Sequence, residues 1–121
     1  MVKVALLGFG TVGSGVAEVL TENKELIKNR TGIDFDIKYI LDLREFPDHP
    51  LGYRVVHDIN IILNDPEVTI VAEMMGGIHP AYDFSLAAIK AGKNVVTSNK
   101  AVVASYGPEL QREASERCLR Y

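Results

Sequence analysis

The chain has 121 residues, of which 47% are hydrophobic and 24% are charged, and its formal net charge is −3. These values are ordinary for one soluble globular domain, and they exclude the basic surface that nucleic acid requires. The single cysteine, Cys118, excludes an intrachain disulfide and fits a reducing compartment. No apolar run reaches the ~20 residues of a membrane helix, and no signal-peptide pattern follows Met1. We therefore expect a cytoplasmic protein that binds neither nucleic acid nor a membrane.

The first half of the chain predicts a strand, a long helix and a second strand. Val2–Leu7 is a short apolar run with β-branched residues, which is typical of a buried strand. Apolar residues at helical spacing from Val12 onward predict one helix that ends near Arg30, before Gly32. Phe35–Leu41 predicts the second strand, and the acidic, proline-containing stretch 42–52 predicts a loop.

The second half continues the alternation. Residues 53–56 predict a short strand, and Asp58 is expected to cap a brief helix that closes at the turn 64–66. A strand over 69–75 ends at two glycines, a helix starts at Pro80 and ends at Gly92, and Asn94–Thr97 is a further strand. Residues 108–116 predict the last helix, and 119–121 look like the opening of another strand.

Strands that alternate with helices, and that are continuously apolar, predict an α/β fold with a parallel sheet covered on both faces. With short loops and right-handed crossovers, this is a doubly wound sheet of the Rossmann type in a single domain. In such sheets a ligand binds beyond the carboxyl ends of the strands. Here those ends are Gly8, Asp42, Gly76 and Ser98.

The glycine pattern between the first strand and the first helix predicts a dinucleotide site. Gly8 permits a tight turn, Gly10 lets a pyrophosphate approach the backbone, and Gly13 lets the helix pack closely on the sheet. Backbone N–H groups at the helix start would face the phosphates. The alternative is a glycine-rich turn without a ligand, but the position after a strand and before an amphipathic helix favours the dinucleotide.

The end of the second strand carries the candidate reader of the adenosine ribose. Asp42 would accept hydrogen bonds from the ribose hydroxyls and repel a 2′-phosphate, which favours NAD. Arg44, two residues later, could instead reach a 2′-phosphate. Asp42 lies 29 positions after Gly13 (42 − 13 = 29), where about 20 is usual. A long first helix would account for the difference, and a loop-capping role for Asp42 is the alternative.

Two further strand ends are candidate contacts. Gly76-Gly77 would permit close backbone approach to a ligand, although a simple turn before Pro80 explains them equally well. The neighbouring Met74 and Met75 are typical core residues. Residues 97–100 close the next strand.

Other chemistries find no support in the sequence, and no metal site is predicted. The three histidines lack the spacing of metal ligands and are expected to be solvated loop residues: His49, His57 and His79. Cys118 has no evident base partner and is expected to be a small buried residue and not a nucleophile.

Four sequence segments, taken together, resemble those of one known family. GFGTVGSG at 8–15, EMMGG at 73–77, VVTSNKA at 95–101 and GPEL at 107–110 occur in the order and at the spacing of homoserine dehydrogenases. The resemblance covers the whole chain. It implies that the loop 8–13 holds the pyrophosphate, that segments around Met75-Gly76 and 97–100 flank the nicotinamide ribose, and that Lys100 is a catalytic group.

The residues and the resemblance together define the expected site. The predicted cofactor-binding residues are Gly8, Phe9, Gly10, Thr11, Val12, Gly13, Asp42, Arg44, Met75, Gly76, Thr97, Ser98, Asn99 and Lys100. Leu43 departs from the family, because many members place a basic residue there, and this puts NADP use in doubt. NAD is therefore slightly favoured over NADP.

The resemblance implies interconversion of L-homoserine and L-aspartate 4-semialdehyde, a step of threonine and methionine biosynthesis. We expect 1–121 to be one dinucleotide-binding domain, inactive alone, with the domain that binds the amino-acid substrate lying beyond Tyr121. Two alternatives remain open. One is a non-catalytic regulatory or redox-sensing module, and the other is the front half of another amino-acid dehydrogenase, such as aspartate dehydrogenase. The sequence does not predict the oligomeric state, and a homo-oligomer is one of the states that it allows.

Overall fold

Five parallel strands form one sheet in the computed structural model, which describes residues 2–121 and only the backbone of Thr11 and Val12. The strands are β1 (Val2–Leu7), β2 (Phe35–Leu41), β3 (Val55–Val56), β4 (Val68–Glu73) and β5 (Asn94–Thr97). Their order in the sheet is β3-β2-β1-β4-β5, so the order reverses beside β1. The predicted Rossmann class is confirmed.

The register of the sheet brings three strand ends level with one another. Leu7, the last residue of β1, pairs with Leu41 on one side and with Glu73 on the other. Two further backbone hydrogen bonds extend this alignment, from Gly8 N to Leu41 O at 2.8 Å and from Met74 N to Leu7 O at 3.0 Å. The segments that follow β1, β2 and β4 therefore start side by side.

Helices cover both faces of the sheet. They are α1 (Thr11–Glu22), α2 (Lys24–Thr31), α3 (Ile59–Leu63), α4 (Ala81–Lys90) and α5 (Lys100–Glu116). Successive residues of a strand point to opposite faces, and accordingly Ala5 and Leu7 belong to an apolar cluster with α3, α4 and α5. Val4 and Leu6 belong to a second cluster that includes Ala17 of α1.

The first predicted helix is two helices, and this prediction was wrong. Asn23 separates α1 from α2: both its backbone N–H and its side-chain amide donate to the carbonyl of Val19. Asparagine competes for helical carbonyls in this way, which is why it interrupts helices. Gly32 ends α2 in the left-handed region at φ 75°, as predicted. No side chain of α2 is buried.

The last helix begins eight residues earlier than predicted. Asn99 caps α5 by accepting a hydrogen bond from Val102 N at 3.2 Å, and Pro108 lies inside the helix instead of starting it. A helix-interior proline lacks an N–H donor and is normally unfavourable. Here Val102 and Leu110, both 0% exposed, bury the helix on the sheet on either side of the proline. Tertiary packing overrides the local signal.

Smaller differences concern the ends of elements. Residues 52–54 form a 3-10 turn before the two-residue β3, and β4 ends at Glu73, two residues earlier than predicted. Residues 119–121 are not a strand, although Arg120 O accepts a hydrogen bond from Val95 N of β5. Cys118 is exposed and not buried, because it lies in the turn after α5 at φ 59°.

The face of the sheet beside α1 is partly open over β4 and β5. A groove of about 460 Å³ runs there, and Val96 of β5 is 61% exposed within it. Among residues 2–121, no helix is long and apolar enough to cross a lipid bilayer.

Candidate functional site

The turn between β1 and α1 is built around three glycines with different surroundings. Gly8 adopts φ +96°, a conformation that side chains disfavour. A Cβ on Gly13 would lie 2.2 Å from the carbonyl oxygen of Gly8, so only glycine fits there. A Cβ on Gly10 would meet only Arg44 Nη2, at 3.9 Å, and Gly10 is exposed. Gly8 and Gly13 thus shape the turn, while Gly10 presents backbone to open space.

The amino end of α1 has the backbone geometry that suits an anion. Gly10 O accepts the first helical hydrogen bond, from Ser14 N at 2.8 Å. The N–H groups of a helix's first turn have no partner within the helix and carry partial positive charge. Thr11 and Val12 were predicted contacts, and their side chains lie outside the described part of the structure.

Phe9 contributes to the turn through its backbone. Its side chain is 3% exposed and packs edge-on against Phe46 and His49, with ring centroids 4.9 and 4.8 Å away. Its N–H donates to Asp42 Oδ2 at 3.0 Å. Phe9 thus holds the turn against the end of β2, with its ring turned into the protein.

Asp42 and Arg44, two alternative readers of the ribose in the sequence, bind each other. Asp42 Oδ1 accepts from Arg44 N and Nε, and Oδ2 accepts from Arg44 Nη2 and Phe9 N, all at 2.9–3.0 Å. An ionised carboxylate has about four acceptor positions, so all of them are used. The Arg44 side chain is 63% exposed, whereas that of Asp42 is 9% exposed. Arg44 is the partner that can move.

Electrostatics at the end of β2 favour the ionised carboxylate. The hydrogen bonds from the Arg44 side chain lower the pKa of Asp42 from 3.8 to about 2, although partial burial opposes them. His57 lies on the other side, with Nδ1 2.6 Å from Asp42 O and Nε2 2.7 Å from Glu45 Oε1. These two hydrogen bonds raise the pKa of His57. The site therefore combines an ionised acid with two groups that can carry positive charge.

A cavity of about 420 Å³ opens between the ends of β2 and β4. Its floor is Gly8 and the Asp42–Arg44 pair, and its walls are largely apolar. The other lining residues are Leu41, Leu43, His57, Ile59, Met75, Pro80 and Phe84. An apolar cavity with charged groups in its lining suits an adenosine group, because a base can pack on the apolar surface while a ribose faces the polar residues.

The second half of the predicted site lies at the ends of β4 and β5. Gly76 and Gly77 are exposed, and a Cβ on either would meet no atom within 4 Å. Ser98 and Lys100 are exposed, and Lys100 is the first residue of α5. Asn99 is 6% exposed, and its side-chain amide donates to Met75 O and Gly77 O. Its side chain therefore connects two segments of the protein.

Several of these residues were missed or misjudged in the sequence. His57 and His79 are exposed loop residues, as expected, but the sequence did not show that both ring nitrogens of His57 have partners. His49 accepts from Leu51 N, and His79 Nδ1 lies 2.7 Å from Asp83 Oδ2. Glu73, 0% exposed, drew attention only as part of a motif. An acid at the end of an apolar strand is a signal that sequence reasoning could have used.

Within residues 2–121, no group of three or more His, Cys, Asp or Glu side chains is placed to hold a metal ion. The residues present do fit a dinucleotide: a Cβ on Gly10, Gly76 or Gly77 would meet no protein atom within 4 Å apart from the exposed end of the Arg44 side chain. A Cβ at these positions would occupy the path of a ligand along the edge of the sheet.

Comparison with known proteins agrees with this geometry. The chain is 39% identical over 116 residues to a homoserine dehydrogenase of Synechocystis and 35% identical over 114 residues to that of Helicobacter pylori. These matches cover 95% and 93% of the chain but only 27% of each relative. The chain thus spans about a quarter of the length of the relatives it matches.

Solved structures give the same result. The S. aureus homoserine dehydrogenase at pH 7.0 superposes with a TM-score of 0.89 at 38% identity, covering 98% of this chain and 31% of that one. The enzyme from Thiobacillus denitrificans also gives 0.89, at 36% identity, covering 98% of this chain and 28% of that one. The family model described as homoserine dehydrogenase, NAD binding domain, matches residues 8–121. From the glycine turn to its last residue, therefore, the chain belongs to the family of homoserine dehydrogenase NAD-binding domains.

Proposed function

We propose that this chain is the cofactor-binding part of a longer enzyme that interconverts L-homoserine and L-aspartate 4-semialdehyde. The observation that carries the proposal is the continuous edge formed by the glycine turn, the cavity beside Asp42 and the exposed glycines after β4. The relatives are homoserine dehydrogenases, and the proposed reaction is the one that this family name describes. Residues 1–121 would form the dinucleotide-binding domain, and the substrate-binding groups would come from the rest of the polypeptide.

Each part of the edge would hold one part of the cofactor. The amino end of α1 would bind the pyrophosphate, and the cavity beside Asp42 would bind the adenosine. The segments 74–77 and 97–100 would face the nicotinamide half. When bound, a nicotinamide cofactor supplies the hydride chemistry, while the protein orients the reacting groups and excludes water.

Lys100 is our candidate for proton transfer. Oxidation of an alcohol to an aldehyde releases a proton together with the hydride, so a base must lie within hydrogen-bond reach of the hydroxyl. Lys100 starts α5 at the carboxyl edge of the sheet, where ligands bind in this fold. The alternative is a lysine that only contacts the cofactor ribose.

We further propose a modest preference for NAD over NADP. The ribose hydroxyls of NAD would replace the Arg44 side chain as donors to Asp42, and release of this exposed partner costs little because exposed ion pairs contribute little. A 2′-phosphate would instead meet the negative charge of Asp42, which Arg44 only partly offsets.

Calorimetric titration of the 1–121 chain with NADH and with NADPH tests both the site and the preference. We expect the chain to bind NADH more tightly than NADPH. Asp42→Asn should reduce the ratio of the two affinities by about tenfold, or 1.4 kcal/mol, and Arg44→Ala should increase it. Absence of binding for both ligands would overturn the cofactor site. Tighter binding of NADPH, abolished by Arg44→Ala, would make Arg44 the ribose reader.

A further inference from the structure

Glu73 is a fully buried acid at the carboxyl end of β4. It is 0% exposed, and burial of a carboxyl group is unfavourable unless its oxygens accept hydrogen bonds. Oε2 accepts from Met75 N at 2.7 Å, and Oε1 accepts from Thr97 Oγ1 at 2.9 Å. The side chain thus binds both the segment after β4 and the last residue of β5. No part of the Glu73 side chain is exposed, so we expect it to act through these neighbours.

The Thr97 hydroxyl connects Glu73 to the start of α5 by two hydrogen bonds. It donates to Glu73 and accepts from Asn99 N, at 2.9 Å in both cases. The Asn99 amide nitrogen then donates to Met75 O at 2.9 Å and to Gly77 O at 2.6 Å. The hydrogen bonds form a closed ring through Glu73, Thr97, Asn99 and Met75, which we call the Glu73 ring.

The Glu73 ring fixes the two segments that face the nicotinamide half of the site. It holds the backbone of 75–77 against the amino end of α5, where the exposed Lys100 follows Asn99. The adenosine side is fixed by a separate set of contacts, those of Asp42 with Phe9 and Arg44. Loss of the ring should therefore affect one half of the cofactor and spare the other.

We propose that Glu73 is a positioning residue for the nicotinamide half of the cofactor, acting through Thr97 and Asn99 on the segment 75–77 and on Lys100. This inference rests on the proposed function. A purely structural role would lower the affinity for every ligand of the domain, whereas the positioning role lowers only the affinity for ligands that carry the nicotinamide half.

The test compares NADH with ADP, which carries the adenosine and the pyrophosphate but no nicotinamide. The dissociation constants of both ligands are measured by calorimetry for the 1–121 chain and for Glu73→Gln, Thr97→Val and Thr97→Ser. Valine removes the hydroxyl at nearly constant shape, and serine restores it. The fluorescence of bound NADH gives a second readout, because it responds to the surroundings of the reduced nicotinamide ring.

We expect Glu73→Gln and Thr97→Val to weaken NADH binding by about tenfold, because each substitution breaks the Glu73 ring by removing at least one of its hydrogen bonds. ADP affinity should stay unchanged, and Thr97→Ser should keep both affinities. Tyr39→Phe is the matched control: it removes a hydrogen bond of similar length, 2.7 Å to Asp65, away from this edge. It should lower the melting temperature without changing the NADH-to-ADP affinity ratio.

Three results would overturn the inference. Parallel loss of NADH and ADP affinity would indicate a structural role, and unchanged affinity for both ligands in every variant would remove the Glu73 ring from the site. If Glu73→Gln does not fold, the comparison of Thr97→Val with Thr97→Ser decides alone. Failure of the unsubstituted chain to bind either ligand would instead overturn the proposed function, and this inference with it.

Discussion

Substitution by alanine adds the same methyl group at Gly13 and at Gly10, but the structure predicts a backbone clash only at Gly13. At Gly13 the new Cβ would lie 2.2 Å from Gly8 O, a backbone atom that no rotamer change can move. Relief of this contact requires a shift of about 1 Å between α1 and the turn, and overpacking of this kind costs roughly 1–3 kcal/mol or more.

At Gly10 the same methyl group meets no backbone. Its nearest neighbour is the exposed Arg44 side chain at 3.9 Å, and φ −75° is accessible to any residue. The folded domain should lose about 1 kcal/mol, because the substitution creates no close contact but alanine is a poorer N-cap than glycine. Valine at Gly10 should occupy the path of the pyrophosphate and weaken NADH binding by at least ~100-fold, or about 2.7 kcal/mol.

Thermal unfolding followed by circular dichroism measures the first effect, and calorimetric titration with NADH measures the second. Gly13→Ala should lower the melting temperature by roughly 3–6 °C per kcal/mol in a domain of this size, while Gly10→Val should lower it less than Gly13→Ala does, through the loss of a good N-cap alone. An unchanged melting temperature for Gly13→Ala would refute the close packing of α1 on the turn. Unchanged NADH affinity for Gly10→Val would remove the glycine turn from the binding site.

Two further predictions concern single side chains. The folded-state pKa of Asp42 lies at about 2, below the ordinary 3.8, so its stabilising contribution is present above about pH 4 and is lost as the pH falls through about 2. Urea unfolding should show that Asp42→Asn is less stable than the unsubstituted chain at pH 7 by between about 1 and about 2.5 kcal/mol, the lower value reflecting the exposure of Arg44. This difference in unfolding free energy should shrink toward pH 2. A difference that does not depend on pH would contradict the lowered pKa of Asp42. Lys100→Ala in the complete enzyme should lower kcat by ~10² or more with cofactor affinity nearly intact, whereas a change confined to cofactor affinity would make Lys100 a binding residue.

Local patterns predicted most of the sheet and the glycine turn. β1, β2 and β5 have the predicted bounds, because each is rich in apolar and β-branched residues and is followed by glycine, aspartate or serine. The role of Gly13 was also predictable, since only close packing of helix on sheet requires glycine there.

Features that depend on distant partners could not be predicted. α5 begins at Lys100 because Asn99 caps it and because Val102 packs on the sheet, and neither contact is visible beside the strong signal of Pro108. The pairing of Asp42 with Arg44 and the two contacts of His57 depend on side-chain placement across a loop. The predicted strand ends placed Asp42 and Arg44 at the carboxyl edge of the sheet, but their hydrogen-bond partners could not be predicted.

The absence of any buried side chain in α2 makes this helix a practical place to modify the protein. α2 follows α1, whose 12 residues span about 18 Å from the glycine turn. A cysteine introduced at Asn29, after replacement of the exposed Cys118 by serine, would accept a fluorophore far from the cofactor edge. Such a label would allow immobilisation or energy-transfer measurements on the domain without altering its core.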